Sequence, residues 1–423
     1  MILSAEDLDF AGLVRPGDVV LCGQGTAEPL TLTRRLVAQK NEIGPFTMFL
    51  GVCFSDTFAP ERSVGISFRA YGAIGTSVAL SRAGRLDILP WHYSRIDRAF
   101  ASGELRADVV LLQLAPPPPG RSGYSLALAN DYVASAARHA RLVLAETNPD
   151  APWTHGAGLP AGVETHILIA AEHSPQELKP ARFGDVEMRI AEEIAALVPD
   201  GACLQFGVGA VPAAALSGLG KHRELSIHSG VIGDACIDLI DGGVVTNAGK
   251  PFDRGVTVTN TVLGTRRLFD FAHDNPAVQV RPASHTHGHG TIASIPRFRA
   301  INSAVEVDLT GQVNAEVAGG AYVGAVGGQA DFVRGALASE GGRSIIALPA
   351  TALGGKASRI VSRLDTVTLP RSDADLIVTE HGVADLRGAT LEDRAARMIG
   401  IAAPEFREGL SRVWRDRGAL HAG

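Results

Sequence analysis

The residues best suited by type and spacing to hold an anionic group begin at a glycine turn within 201–235. An apolar run, 202–206, breaks at Gly207-Val208-Gly209, and Pro212 follows at the start of an alanine-rich segment. This order predicts strand, turn and helix, since glycine permits the turn and proline suits the first helical turn. Backbone N–H groups of such a turn can bind a phosphate or stabilise an oxyanion. A tight connection without a ligand is the alternative, because a Gly-x-Gly match is short.

A second group of glycines lies in the C-terminal half of the chain. The sequence Gly324-Ala-Val-Gly327-Gly328-Gln329 can bring backbone N–H groups close to a ligand. Residues 352–359 combine two glycines with Lys356 and Arg359, which suits a phosphate-rich ligand such as a nucleotide or coenzyme A. A surface loop with solvated cations is the alternative interpretation of the second segment.

Three alternating histidines, His285, His287 and His289, are candidate metal ligands. On an extended strand this spacing would place all three on one side, but no Cys, Asp or Glu lies immediately beside them to complete a site. We therefore expect a polar loop and no metal.

Composition excludes several classes of protein. The 423 residues carry a net charge of −6, which argues against a nucleic-acid-binding surface. The four cysteines are widely spaced, which is not the pattern of a disulfide framework or a zinc ribbon. The N-terminus does not read as a signal peptide, and no apolar run is long enough to span a membrane. We expect a cytoplasmic protein with no membrane partner.

Apolar strand-like runs alternate with helical patterns, which predicts an α/β fold with mostly parallel sheets covered by helices. Residues 14–30 and 198–213 share a turn, a short apolar run, a Gly-x-Gly break and a proline, as an approximate internal repeat would. The polar segment 173–184 separates two predicted domains, 1–180 and 181–423. Residues 126–139 read as a helix, and Thr390 with Asp393 reads as a helix N-cap.

Several ordered blocks resemble the acetyl-CoA hydrolase/transferase family of CoA-transferases. They are 108–128 (DVVLLQLAPPPPGRSGYSLAL), 143–156 (VLAETNPDAPWTHG), 203–212 (CLQFGVGAVP), 300–313 (AINSAVEVDLTGQV), 327–335 (GGQADFVRG) and 345–361, with GGKASRIV. The resemblance implies two tandem CoA-transferase-like domains, acyl-CoA as substrate, no metal, and a homo-oligomer such as a dimer or tetramer.

The resemblance also implies ping-pong chemistry, in which a glutamate attacks the acyl-CoA thioester and then carries CoA as a glutamyl thioester. It places the CoA-binding residues at two glycine segments and one cation: Gly207, Val208, Gly209, Ala210, Val211, Gly327, Gly328, Gln329 and Lys356.

The chain departs from the family at the nucleophile. The family motif resembles Ile-His-Thr-Glu-Met-Phe-Ser-Asp-Gly, whereas residues 227–235 read IHSGVIGDA, so that the glutamate position is Gly230. Asp234 matches the family's aspartate and is expected to be structural. In a similar variant branch, which includes itaconate CoA-transferases, the glutamate is thought to come from the N-terminal domain. Glu61, in a loop stiffened by Pro60, is the resulting candidate nucleophile, with Glu28 and Glu316 as weaker ones.

The expected function is transfer of CoA from acetyl-CoA or succinyl-CoA to a small carboxylate, with itaconate or a related short acid favoured. Two alternatives stay open. One is an acyl-CoA thioesterase that uses water with general-base help from His228 or Asp234. The other is a catalytically silent acyl-CoA-binding protein.

Overall fold

The computed structural model describes residues 2–416, in which two eight-stranded sheets form the framework. The central strands are apolar and buried at every position, as in the segments 109–114 and 142–147. Such strands require a covering layer on both faces of the sheet, and helices supply it. None of the helices within residues 2–416 is long and apolar enough to cross a membrane.

The strands of the first half of the chain are β1 (Ile2–Leu3), β2 (Val19–Cys22), β3 (Thr47–Leu50), β4 (Ser67–Ala70), β5 (Asp87–Ile88), β6 (Val109–Leu114), β7 (Leu142–Thr147) and β8 (Ile167–Ala170). Those of the second half are β9 (Cys203–Phe206), β10 (Ser226–Ile232), β11 (Thr257–Val262), β12 (Val278–Val280), β13 (Phe298–Ser303), β14 (Glu306–Asp308), β15 (Val313–Asn314), β16 (Val317–Ala318), β17 (Ala321–Tyr322), β18 (Arg343–Ala347), β19 (Thr351–Ala352), β20 (Ala357–Ser358), β21 (Ile360–Val361), β22 (Leu376–Thr379) and β23 (Gly382–Asp385).

The helices are α1 (Leu30–Ala38), α2 (Lys40–Ile43), α3 (Val78–Arg82), α4 (Tyr93–Ser102), α5 (Val133–Ala137), α6 (Asp185–Leu197), α7 (Ala210–Ser217), α8 (Ala235–Asp241), α9 (Arg266–Ala272), α10 (Ala283–Thr286), α11 (His289–Ala293), α12 (Gln329–Ala338), α13 (Leu391–Gly400) and α14 (Pro404–Asp416).

The two sheets have the same topology in seven of their eight strands and differ in the outermost one, β1 or β23. Their strand orders are β5-β4-β3-β2-β6-β7-β8-β1 and β12-β11-β10-β9-β13-β18-β22-β23. In each, the first long strand is central, the next three lie on one side of it, and the chain then returns to the other side. Every pairing in the first sheet is parallel, and the second sheet has one antiparallel pair, β22 with β23. The predicted α/β fold is confirmed, and the shared strand order supports the internal repeat.

One apolar core continues through both halves, since it includes Leu21 and Val110 of the first sheet and Leu204 and Ile345 of the second. The boundary predicted near residue 180 falls between β8 and α6 and stays a prediction. The capping box at Thr390 and Asp393 is present at the start of α13, as the sequence indicated.

The helix predicted over 126–139 is wrong for most of its length. Only α5 is helical there, and Ala127 and Asp131 have φ values of 58° and 31°, in the left-handed region. The preceding residues pair with the second half instead, through a bridge from Ala129 to Thr261 and a hydrogen bond from Asn130 N to Asn260 O. Contacts between the halves therefore override the local helical pattern.

Glu146 at the end of β7 gives a prediction about stability and pH. Its carboxylate accepts hydrogen bonds from the backbone N–H of Thr31 and Leu32 at 2.9 and 3.1 Å, yet burial raises its pKa to about 8. The folded state thus binds this proton more tightly than the unfolded chain, and stability present at low pH is lost as the pH rises toward 8. We expect the wild type to lose roughly 1 kcal/mol per pH unit through this group between about pH 5 and 8.

Chemical denaturation at several pH values measures this slope. Glu146→Gln keeps an acceptor oxygen without the titration, so the difference between wild type and variant should shrink or reverse as the pH rises. Parallel pH profiles for the two proteins would contradict the assignment.

Candidate active site

A cavity of about 190 Å³ lies where the carboxyl ends of the central strands of the two sheets meet. Residues that follow β2, β3 and β4 line it from one side, and residues at the ends of β9, β10, β11 and β13 line it from the other. Ligand sites of parallel α/β sheets occur at this end of the strands. The lining residues are Gln24, Gly25, Val52, Tyr71, Ile74, Tyr93, Gln205, Phe206, Gly207, Val208, Gly230, Val231, Asn260, Thr261, Leu263, His287, Asn302, Gly327, Gly328, Gln329 and Phe332.

The lining contains no formal charge. Within residues 2–416, no aspartate, glutamate, lysine or arginine lines this cavity. His287 is also neutral, because burial lowers its pKa to about 3. The cavity therefore suits the neutral thioester and the short acyl chain of an acyl-CoA.

The predicted strand, turn and helix at Gly207-Val208-Gly209 are present as β9, the turn and α7. The N–H of Gly207 donates to Ile301 O at 3.1 Å, and Gly209 has a φ of 127°, which favours glycine. In the described part of the chain, the N–H groups of Val208 and Gly209 donate no hydrogen bond. Val208 lines the cavity, so its N–H is available to a developing oxyanion there.

The CoA-binding residues predicted from the resemblance are only partly brought together. Gly207, Val208, Gly327, Gly328 and Gln329 line the cavity. The remaining ones lie outside its lining: Gly209, Ala210 and Val211 continue into α7, and Lys356 is exposed in the turn between β19 and β20.

Gln329 directly follows Gly327 and Gly328 and is the first residue of α12. Its Nε2 donates to Ser303 O at 3.0 Å, and its buried Oε1 accepts no hydrogen bond from residues 2–416. A buried unpaired oxygen beside a cavity favours a ligand that donates to it.

A buried polar network forms the floor of the cavity. Gln24 Nε2 donates to Tyr93 Oη at 2.8 Å, and Tyr71 Oη donates to Gln24 Oε1 at 2.8 Å. Tyr93 Oη in turn donates to Asn260 Oδ1 at 3.2 Å, which joins the two halves. These residues were not predicted from the sequence. One indication of the network is present in the sequence: Gln24 is the middle residue of Gly23-Gln24-Gly25, directly after an apolar run.

Residue 230, where the family's glutamate is expected, has little room for a side chain. A Cβ atom at Gly230 would lie 2.9 Å from Nε2 and 3.0 Å from Cε1 of His287, and 3.2 Å from Cε2 of Phe332. The ring of His287 packs against those of Tyr93 and Phe332, with centroid distances of 4.7 Å to each. The rings of His287 and Phe332 thus occupy the space beside a side chain at 230, and Tyr93 packs behind the His287 ring.

The polar loop expected at the three histidines is wrong for most of the segment, because two short helices, α10 and α11, form there. His285 lies within α10, and its Nε2 is 2.9 Å from Asp253 Oδ2, whereas His289 is exposed at the start of α11. Only His287 faces the cavity. Within residues 2–416, no group of three or more His, Cys, Asp or Glu side chains converges as a metal site.

Glu61, the predicted nucleophile, is exposed on the loop between β3 and β4, outside the cavity lining. The loop starts at the cavity, where Val52 belongs to the lining. Two residues after Glu61, the carbonyl oxygen of Ser63 accepts a hydrogen bond from the Arg85 side chain at 2.6 Å. Arg62, beside Glu61, pairs with Asp56 at 2.9 Å. The assignment of Glu61 stays a prediction.

The two weaker carboxylate candidates are buried and engaged in hydrogen bonds. Glu28 accepts from Thr33 and Ser55, both at 2.9 Å, and Glu316 accepts from Thr368 at 2.7 Å.

The two general bases considered for hydrolysis are engaged elsewhere. His228 Nε2 donates to Thr286 O at 3.1 Å, and Asp234 accepts from Thr265 N at 3.0 Å. Neither side chain belongs to the cavity lining.

Known proteins resemble the chain over nearly its whole length. The sequence-family model described as the acetyl-CoA hydrolase/transferase C-terminal domain matches residues 264–413 of this chain. The 4-hydroxybutyrate coenzyme A transferase of Clostridium kluyveri is 41% identical over 405 residues, 94% of each chain. The succinyl-CoA:cyclohexane-1-carboxylate CoA transferase of Geobacter metallireducens is 32% identical and covers 96% of this chain and 94% of its own.

Solved structures agree with this. RipA from Yersinia pestis superposes with a TM-score of 0.91 at 31% identity, over 98% of this chain and 97% of that one. The glycine turn, the charge-free cavity between two repeated sheets and these full-length similarities lead to one conclusion. The chain belongs to the acetyl-CoA hydrolase/transferase family of CoA-transferases.

Proposed function

We propose that this protein transfers CoA from an acyl-CoA donor, such as acetyl-CoA or succinyl-CoA, to a short carboxylic acid. The observation that carries the proposal is the charge-free cavity at the carboxyl ends of both sheets, in a chain with 41% identity to a named CoA-transferase. The cytoplasm as location and a homo-oligomer, dimer or tetramer, are part of this proposal.

In this proposal the thioester carbonyl lies beside the turn after β9. The unpaired N–H groups of Val208 and Gly209 stabilise the oxyanion that forms when the carbonyl is attacked. The glycines at 327 and 328 let the CoA chain approach the backbone closely, and Lys356, exposed in its turn, meets a phosphate at the polar end of CoA.

No carboxylate in the described chain lines the cavity, and residue 230 is glycine, so the nucleophile of the proposal comes from outside the lining. Glu61 takes this role because the resemblance to the variant branch points to the N-terminal half. Its carboxylate attacks the thioester carbon, the C–S bond breaks, and an acyl-glutamyl anhydride and CoA thiolate form. The thiolate then attacks the glutamyl carbonyl, which releases the acid and leaves glutamyl-CoA, and the acceptor acid collects the CoA by the reverse steps. The loop after Val52 must carry Glu61 to the cavity when acyl-CoA is bound.

The acceptor of the proposal is a short acid, with itaconate favoured. The cavity of about 190 Å³ admits a small acyl chain. The relative from Clostridium kluyveri makes 4-hydroxybutyrate a necessary member of any test panel, along with succinate and acetate.

Replacement of Glu61 tests the nucleophile. We expect Glu61→Gln to lower transfer by roughly 10³-fold or more, since the amide cannot form the anhydride. The matched control is Glu164→Gln, which changes another exposed glutamate far along the chain and should leave transfer unchanged. The assay follows acyl-CoA formation from acetyl-CoA and each acid of the panel.

Mass spectrometry of the protein incubated with acetyl-CoA provides the second measurement. A CoA adduct on the peptide with Glu61, removed by hydroxylamine, supports the proposal. Full transfer by Glu61→Gln, or an adduct on another glutamate, would contradict the assignment of Glu61. Binding of acetyl-CoA with no transfer to any acid would favour a silent binding protein.

A further inference from the structure

Asp131 lies directly beneath the floor of the cavity. The residue before it, Asn130, donates its N–H to the carbonyl oxygen of Asn260, a cavity residue, at 3.1 Å. The residue after it, Tyr132, packs its ring against that of Tyr93, another cavity residue, with a centroid distance of 5.8 Å. The side chain of Asp131 is 0% exposed and does not belong to the lining. A layer of polar and aromatic side chains therefore separates its carboxyl group from a ligand in the cavity.

One oxygen of this carboxyl group is held and the other is not. Oδ1 accepts a hydrogen bond from the N–H of Val133 at 2.7 Å, whereas the buried Oδ2 accepts none from residues 2–416. A buried carboxylate with an unpaired oxygen costs free energy, and protonation removes that cost. Burial accordingly raises the pKa of Asp131 to about 7, although the N–H groups of Val133 and Tyr132 favour the charged form.

The titratable groups that face Asp131 leave its charge uncompensated. Burial first, and nearby acidic groups including Asp131 second, raise the pKa of one cysteine and three tyrosines around it, so these stay neutral at pH 7. A second aspartate adds to burial in raising the pKa of Asp131, and no lysine or arginine of the described chain opposes this effect. The facing groups are Cys22 at the end of β2, Tyr71 after β4, Tyr93 and Asp97 on α4, and Tyr132.

The charge of Asp131 matters because the acceptor acid is itself an anion. Short carboxylic acids are ionised at neutral pH, and the cavity lining offers them no cation within residues 2–416. Like charges in a site of low dielectric repel each other over several ångströms, since water screens them little. Protonated Asp131 is neutral and removes this repulsion, whereas ionised Asp131 restores it.

We propose that Asp131 controls entry of the acceptor acid: the cavity takes up the carboxylate while Asp131 is protonated, and ionised Asp131 repels it. When the acid binds to the ionised form, Asp131 takes one proton from solvent and returns it when the acid leaves. Asp131 touches no substrate and acts only through its charge. The inference rests on the proposed function in requiring that a carboxylate anion enter this cavity.

The pH dependence of transfer tests the inference. We measure kcat/KM for butyrate, with acetyl-CoA as donor, from about pH 6 to about pH 9 in wild type and Asp131→Asn. Wild type should lose about 10-fold across this range, with a midpoint near the pKa of about 7, and the variant less than about 2-fold. Asparagine resembles the protonated acid, keeps the acceptor for Val133 and tolerates the φ of 31° found here.

Two further variants keep the test independent of the folding of Asp131→Asn. Asp97→Asn removes the like charge on α4, so it should move the midpoint of the profile to lower pH. The matched control is Asp87→Asn, which changes an exposed aspartate on the edge strand β5 and should keep the wild-type profile. Butyramide, which has the size of butyrate without its charge, should inhibit each protein with a constant that is independent of pH.

Three outcomes would contradict the inference and leave the proposed transfer intact. They are a flat wild-type profile, an equal loss of kcat/KM in wild type and Asp131→Asn, and a weakening of butyramide inhibition that parallels the loss for butyrate. The last would show that pH changes the shape of the cavity and not its charge. Absence of transfer from acetyl-CoA to any acid at every pH would overturn the proposed function, and the inference with it.

Discussion

Gly230→Glu combined with His287→Ala is expected to form a covalent CoA adduct at residue 230, whereas Gly230→Glu alone is not. Strand β10 already directs position 230 into the cavity, and a Cβ there would meet the His287 ring at 2.9 Å. A glutamate needs this space for its whole side chain, so the single variant overfills a packed site at a cost of about 1–3 kcal/mol. Removal of the imidazole opens the room through which the carboxylate can reach a bound thioester.

Intact-mass and peptide mass spectrometry after incubation with acetyl-CoA measure this outcome. The peptide with residue 230 should carry CoA in the double variant, sensitive to hydroxylamine, and the single variant should show a lower melting temperature with little adduct. Gly230→Gln with His287→Ala is the matched control, since it fills the same space without a carboxylate. Equal adduct at residue 230 in the single and double variants would show that His287 does not block this position.

Gly72→Ala is expected to damage both stability and substrate binding. A Cβ atom at Gly72 would lie 2.3 Å from Ala325 Cβ and 2.6 Å from Gly324 O, closer than such atoms can approach. The contact joins the two halves of the chain, and beside it Ala73 N donates to Gly324 O at 2.9 Å. The segment after Ala325 forms the cavity wall at Gly327 and Gly328, so its displacement distorts the site.

We expect a loss of about 1–3 kcal/mol in unfolding free energy, together with a raised KM for acyl-CoA. Thermal melts and steady-state kinetics measure the two effects. Gly220→Ala is the control, because a Cβ there meets nothing within 4 Å and the residue is exposed. If Gly72→Ala and Gly220→Ala have the same melting temperature and the same KM, the contact between Gly72 and Ala325 does not position the cavity residues Gly327 and Gly328.

Local sequence determined much of the framework. The turn at Gly207-Val208-Gly209 joins a strand to a helix as its residues indicate, and Thr390 with Asp393 caps the start of α13. These features follow from apolar runs, glycine, proline and capping side chains within a few residues of each other, which is information that a single sequence contains. The ordered family blocks likewise identified the fold, since they extend through both halves.

Only the tertiary structure decided what surrounds the reacting group. Gln24, Tyr93, Asn260 and His287 are far apart in sequence, and the meeting of two sheets brings them to one cavity. The sequence showed that Gly230 lacks a carboxylate, but it did not show that His287 fills the adjacent space. That contact depends on short helices at α10 and α11 where the sequence predicted a polar loop, and on packing against Tyr93 and Phe332. Long-range packing selects one backbone among several that the local residues allow, which is why spacing alone could not place this histidine.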